Sequence, residues 1–213
     1  MRQYAVILLK GEARMRLETR RAEARDVPQL KRMIDECLAP DYYTNEKLEA
    51  SIRGERNLFY VVTDADRDGA VAAFFYAFLS SLDEALEIMQ VRQRPEALAG
   101  YDGRTTVGVY KTVSTGKDYR KAGICSSFVR SQEPVLRARG AKLILVPAMR
   151  SPAGVVPAKD ILQDNGFVPI AEIIRPWADM DIYCPYCGHY HCICDAVFYM
   201  KKLEHREGGD VRE

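Results

Sequence analysis

Residues 105–146 leave this chain few ways to fold. An apolar, β-branched run (105–114) leads into a basic turn, then a stretch of helical periodicity (123–139) that stops at Gly140, then a short apolar run (142–146). Strand, helix and strand of these lengths predict a parallel crossover, which is right-handed almost without exception. Pro134 falls inside the helix and predicts a kink or a shortened first half.

The other segments build around that unit. Residues 17–22 alternate as a strand, and Asp26-Val27-Pro28 supplies an N-cap with proline in the first turn of a helix. Leu30, Met33, Ile34, Cys37 and Leu38 share one face of that helix, so Cys37 reads as a small buried hydrophobe. Thr44 caps a second short helix over 45–52, which Gly54 ends. Residues 58–63 and 70–79 are β-rich and flank the turn-forming cluster 64–69, which predicts an antiparallel hairpin. The aspartates of that cluster lack the full calcium-loop pattern with its terminal Glu, so the cluster reads as a solvated turn. From Ser81 the periodicity becomes helical and then irregular, making residues 81–104 an insertion, either a substrate lid or a surface excursion. After Pro157 come a short helix to Leu162, a stop at Asn165-Gly166, a strand over 167–175 and a last strand over 196–203. The predicted fold class is α/β, a mixed, mostly antiparallel sheet flanked by helices, in one domain spanning 15–203. Residues 1–14 read as an N-terminal extension or extra strand, with Met15 as an alternative start, and 204–213 as a charged tail.

Lys and Arg number 31 against 30 for Asp and Glu, a net charge of +1, so no bulk field favours nucleic acid or an anionic membrane. No apolar run approaches the roughly 20 residues that cross a bilayer, and the apolar stretch near the N-terminus is too short for a secretory signal. The expected location is cytoplasmic.

Two stretches carry chemistry. The first is Arg120-Lys121-Ala122-Gly123-Ile124-Cys125-Ser126, where a strand gives way to a helix. The first N–H groups of a helix lack intrahelical partners and sit at the positive end of its dipole, so an anion is favoured there. Gly123 gives access to the backbone, Arg120 and Lys121 supply charge, and Ser126 offers a hydroxyl.

The second is Cys184-Pro185-Tyr186-Cys187-Gly188-His189-Tyr190-His191-Cys192-Ile193-Cys194. Cys184, Cys187, Cys192 and Cys194 have the spacing of a zinc knuckle, with Cys192 and Cys194 expected on one face at the start of the last strand. Four thiolates closing around one tetrahedral ion favour Zn2+ in a structural role, with iron as the rival metal. His191 is an alternative ligand to one cysteine, ahead of His189. A redox disulfide between Cys184 and Cys187 and a set of plain reduced thiols are the non-metal readings.

Tyr119-Arg120-Lys121-Ala122-Gly123-Ile124-Cys125 resembles the Arg/Gln-x-x-Gly-x-Gly/Ala pyrophosphate loop of the GNAT superfamily of acyl-CoA-dependent N-acetyltransferases, and Asn165-Gly166-Phe167 resembles that superfamily's late Gly-Phe signature. The element order is similar from about residue 15 to residue 203. The resemblance implies a GNAT-like sheet splayed at its centre, with the cysteine hairpin (183–195) between the last two strands. It implies acetyl-CoA as cosubstrate, bound by Lys111, Thr112 and Val113 along the pantetheine arm and by Arg120, Lys121, Ala122, Gly123, Ile124, Cys125 and Ser126 at the diphosphate. The implied reaction is direct attack of a primary amine on the acetyl group. A homodimer is left open.

The sequence departs from the family at two places. Cys125 stands where Gly or Ala is usual, and Leu162 stands where many members carry the tyrosine that protonates the leaving thiolate. Tyr183 and Tyr199 are the replacement candidates. No acidic residue in 105–117 offers a general base, and nothing in the sequence singles out Asp83 or Glu84 of the insertion for that role. The alternative functions are a non-catalytic CoA-binding module, a zinc-hairpin interaction module and a thiol-based redox regulator.

Overall fold

The computed structural model describes residues 3–8 and 14 as backbone and residues 15–203 in full. The expected tail at 204–213 lies outside the described residues. Eight strands form one sheet in the order β1-β2-β3-β4-β5-β6-β8-β7. In chain order, β1 (Gln3–Leu8) and β2 (Arg14–Arg21) precede α1 (Val27–Cys37) and α2 (Asn45–Arg53). They are followed by β3 (Asn57–Asp64), β4 (Ala70–Ser81), α3 (Leu82–Ile88), β5 (Thr106–Thr115), α4 (Ile124–Ala138) and β6 (Leu143–Arg150). The chain then runs through α5 (Lys159–Asp164), β7 (Val168–Ile173) and β8 (Asp195–Lys202). Among the described residues every strand pair is antiparallel except β5 with β6, which the α4 crossover joins in parallel.

The unbroken apolar run of β4 follows from burial on both faces. Phe74, Tyr76 and Phe78 point into the core under α1, α2 and α3, while Ala73, Phe75, Ala77 and Leu79 point into the core under α4 and α5. Phe59 stacks on both Phe74 and Tyr76 on the first face, and Phe75 stacks on Phe128 of α4 on the second. Each such ring contributes about 1.5–3 kcal/mol by leaving water. The sheet is thereby fixed from both sides around β4 and β5.

The parallel pair is short. It holds only at Val107 with Leu143, Gly108 with Ile144 and Val109 with Leu145, after which β5 and β6 diverge. Where the pair is closed, Gly108 lets α4 lie close, because a Cβ there would stand 2.7 Å from Cδ1 of Leu136. Where it opens, β5 carries a bulge: Ala77 faces Tyr110 and Tyr76 faces Thr112, leaving Lys111 without a partner on β4. A bulge bends its strand and raises its twist, which turns β5 away from β6.

Three local expectations are corrected. Of the kink or shortening expected from Pro134, the shortening does not occur: the helix runs 15 residues, with Pro134 on its exposed side. The strand expected to stop at Val146 continues through Pro147 to Arg150. Proline is tolerated there because one side of β6 has no neighbouring ladder beyond Leu145. Cys192 and Cys194 precede β8 instead of opening it, and His191 just before them has a φ of 55°.

Candidate functional site

Divergence of β5 and β6 opens a cleft of about 260 Å3. Its two long walls are Tyr110, Lys111, Thr112 and Val113 of β5 and Val146, Pro147, Ala148 and Met149 of β6. Val129 of α4 and Ile161 and Leu162 of α5 close one side, and Leu38, Ala39 and Tyr42 at the end of α1 close the other. The far end is made by Trp177, Met180 and Ile182 after β7 and by Cys184, Pro185, Tyr186 and Cys192 of the hairpin. Strand edges left unpaired in a cleft are donors and acceptors waiting for an extended, amide-bearing ligand.

The basic turn lies beyond the end of β5. Cys125 Sγ is 3.2 Å from Thr115 Oγ1, which ties the start of α4 to the strand, and burial pushes this thiol above its usual range. Lys121 and Gly123 both take left-handed backbone, with φ of 65° and 73°. A Cβ on Gly123 would meet nothing within 4 Å, so the space over the turn is open. The first helical hydrogen bond of α4 runs from Ser127 N–H to the Gly123 carbonyl at 2.9 Å, so the N–H groups before it have no partner within the helix. Ala122 and Ile124 are buried and anchor the turn, whereas Arg120 and Lys121 are exposed. A diphosphate fits this arrangement of backbone donors, open glycine and cationic side chains.

No protein-family model and no curated protein matches the sequence. Solved structures do match the fold. The ribosomal-protein-S18-alanine N-acetyltransferase of Escherichia coli superposes with a TM-score of 0.60 at 15 % identity, over 92 % of this chain and 99 % of that one. Arabidopsis thaliana NAA60, solved in complex with acetyl-CoA, gives 0.65 at 16 % identity over 88 % and 98 % of the two chains. The chain has the GNAT acetyltransferase fold. Arylalkylamine N-acetyltransferase 2 of Aedes aegypti shares it too, at a TM-score of 0.59 and 9 % identity over 88 % and 99 %. The GNAT fold accounts for the splayed sheet, the crossover helix and the position of the basic turn together.

Several sequence candidates fall away from the cleft. Tyr183 is exposed and packs edge-on against Tyr190, and Tyr199 is buried in the core opposite Val146; neither lines the cleft. Burial first, and Asp160 second, hold the Tyr199 phenol above its usual range. Glu84 is bound by Arg56 and Ser80, Asp83 lies beside Arg94, and no residue of 81–104 lines the cleft. Instead Leu82, Ala85, Leu86 and Leu98 pack into the core shared with α1. Leu162 does line the cleft and is 3 % exposed. Sequence reasoning missed Tyr42, Tyr43 and Trp177, whose loops carry no periodic signal.

The four cysteines converge. Their sulfurs all lie within 4.8 Å of one another, with Cys184 to Cys194 at 4.0 Å and Cys187 to Cys192 at 3.9 Å. Sulfurs bound to one tetrahedral zinc at about 2.3 Å stand about 3.8 Å apart, whereas a disulfide needs about 2.05 Å. The turn is held by Cys184 N–H donating to the His189 carbonyl at 2.9 Å and Gly188 N–H to the Cys184 carbonyl at 2.8 Å, with Gly188 at a φ of 73°. Burial would raise the Cys187 thiol, but N–H groups of Ile193 and His189 directed at its sulfur bring it down to about 7. Burial pushes Cys192 up to about 11. His191 is outside the cluster, its Nδ1 lying 3.2 Å from the Ala178 carbonyl oxygen. Met149 and Trp177 pack on the cluster, so it is part of the cleft's far wall.

Proposed function

We propose that the protein is an N-acetyltransferase that moves an acetyl group from acetyl-CoA to a primary amine by direct attack. The observation that carries this is the β5–β6 divergence beyond Val109, together with the open Gly123 turn that follows the end of β5. Acetyl-CoA supplies an activated thioester. The backbone of Lys111, Thr112 and Val113 lies along its pantetheine arm, and residues 120–126 hold the diphosphate through N–H groups and the charges of Arg120 and Lys121. The apolar walls displace water from the reacting centre and fix the geometry of attack. With Leu162 at the family's tyrosine position, the proton that the attacking amine sheds passes through water at the mouth of the cleft to the leaving thiolate. Zn2+ in the Cys184, Cys187, Cys192 and Cys194 site fixes the far wall, and a reduced, cytoplasmic setting keeps those thiols available.

Release of CoA thiol from acetyl-CoA, followed with a panel of amines, tests this reading. Amine-dependent release at several times the rate of hydrolysis is expected. Saturable acetyl-CoA binding with no thiol release for any amine would favour the second reading, a non-catalytic CoA-binding module, which the buried Leu162 supports.

A further inference from the structure

We propose that Lys111 is the counter-ion for a carboxylate carried by the ligand that fills this cleft. The inference rests on the acyltransfer reading and names the chemistry of its substrate. The bulge on β5 directs both Lys111 and Thr112 to the α1–α2 face. Lys111 Nζ lies 5.9 Å from the centre of the Tyr43 ring and 5.6 Å from that of Tyr76, and Thr112 Oγ1 is 3.4 Å from Tyr43 Oη. Among the described residues no Asp, Glu or Arg lines the cleft, and Lys111 is the one lysine that does. Among the described residues no hydrogen bond or ion pair engages its ammonium. This contrasts with Arg20, Arg56 and Arg150, each bound by a carboxylate.

Lys111 is an exposed residue of the cleft's lining, and its ammonium stands over the rings of Tyr43 and Tyr76 beside that lining. The surrounding protein, first by burial and then through the charge of Lys47, holds its amine below the usual lysine range. A ligand entering the cleft displaces the remaining water and leaves a cation among aromatic and aliphatic side chains, which is costly unless the ligand brings the opposite charge. An incoming amine, itself a cation before it reacts, sharpens that demand. A carboxylate answers it, accepting from Lys111 Nζ and the Thr112 hydroxyl. Tyr42, Trp177, Met180 and Ile182 offer an apolar surface to the rest of the molecule. The acceptor is then an amino acid with an apolar or aromatic side chain and a free carboxylate. The same anion could instead belong to the acyl group of the thioester.

Calorimetric titration in the presence of CoA with N-acetylphenylalanine, N-acetylleucine and N-acetyltryptophan, each against its uncharged amide, tests the acceptor arm without turnover. At least one acid is expected to bind tenfold or more tightly than its amide. Lys111→Met is expected to bring each pair within about threefold, a loss of about 0.7 kcal/mol or more at 1.4 kcal/mol per decade, and Lys111→Glu to reverse the order. Unfolding temperatures of both variants check that the fold is kept. In the donor arm, transfer from succinyl-CoA is compared with transfer from acetyl-CoA. Equal binding of acid and amide with a succinyl-CoA preference that Lys111→Glu removes would move the carboxylate to the acyl group. Absence of a carboxylate preference in both arms, or one that survives Lys111→Glu, overturns the proposal. Failure of the acyltransfer reading has a separate signature, the absence of acetyl-CoA binding to the unmodified protein.

Discussion

Asp26 is 3 % exposed and accepts two hydrogen bonds from Arg20, both at 2.7 Å. It also accepts from the Glu23 N–H at 2.8 Å, so one carboxylate joins β2, the turn after it and the start of α1. The expected N-cap role is altered: Asp26 stands at the N-cap position, but its side chain makes no cap bond to α1. Thr44, by contrast, caps α2 as expected, accepting from Lys47 N–H at 3.3 Å. Burial opposes ionisation of Asp26, yet the Arg20 bonds and the Glu23 N–H together hold its carboxyl below the usual value. A carboxyl lowered in this way stabilises the fold above its unfolded-state pKa, about 3.9, and that contribution is lost as pH falls through the folded value. Asp26→Asn, which leaves Arg20 partly buried and unpaired, is expected to cost about 3–5 kcal/mol. Urea unfolding at pH 7 reads that loss, and the gap between variant and parent should narrow as the pH falls from about 3.9 through the lowered folded-state value, below which both carry a neutral side chain.

At the scale of elements, the hairpin between β7 and β8 shows how much spacing alone can disclose. Cys-x-x-Cys followed by Cys-x-Cys was enough to place four sulfurs together, because a tight turn at Gly188 leaves them little else to do. What spacing did not disclose was where the cluster would sit, and Met149 and Trp177 join it to the cleft wall through contacts far apart in sequence. Protein purified without added metal is expected to hold about one equivalent of zinc in its four-thiolate site, and Cys184→Ser to hold far less with a lower unfolding temperature. Less than about half an equivalent of zinc or iron in the parent protein would remove the metal from the account. Since Cys184 and Cys192 line the cleft, chelation should also raise the KM for the amine. The β5 bulge was hidden for a different reason: Val107, Val109, Lys111 and Val113 alternate without interruption, and an extra unpaired residue leaves no mark on such a pattern.

For the whole molecule, the crossover was legible because strand, helix and strand of the right lengths admit essentially one connection. Its continuation was legible only by resemblance, since nothing in the apolar run of β6 says that it will part from β5 after three pairs. The parting depends on the bulge at Lys111, on the closed contact of Gly108 with Leu136 and on the bare side of β6 at Pro147, all features of three dimensions. They produce a cleft along the outer half of β5, with the open glycine turn following the end of that strand, and on that geometry the functional account stands. Isothermal titration of the protein with acetyl-CoA tests it most directly. Saturable binding is predicted, weakened at least tenfold in Gly123→Glu, whose side chain puts a negative charge at the proposed diphosphate site, about 1.4 kcal/mol or more. No heat at millimolar acetyl-CoA, or equal affinity in the two proteins, would contradict it.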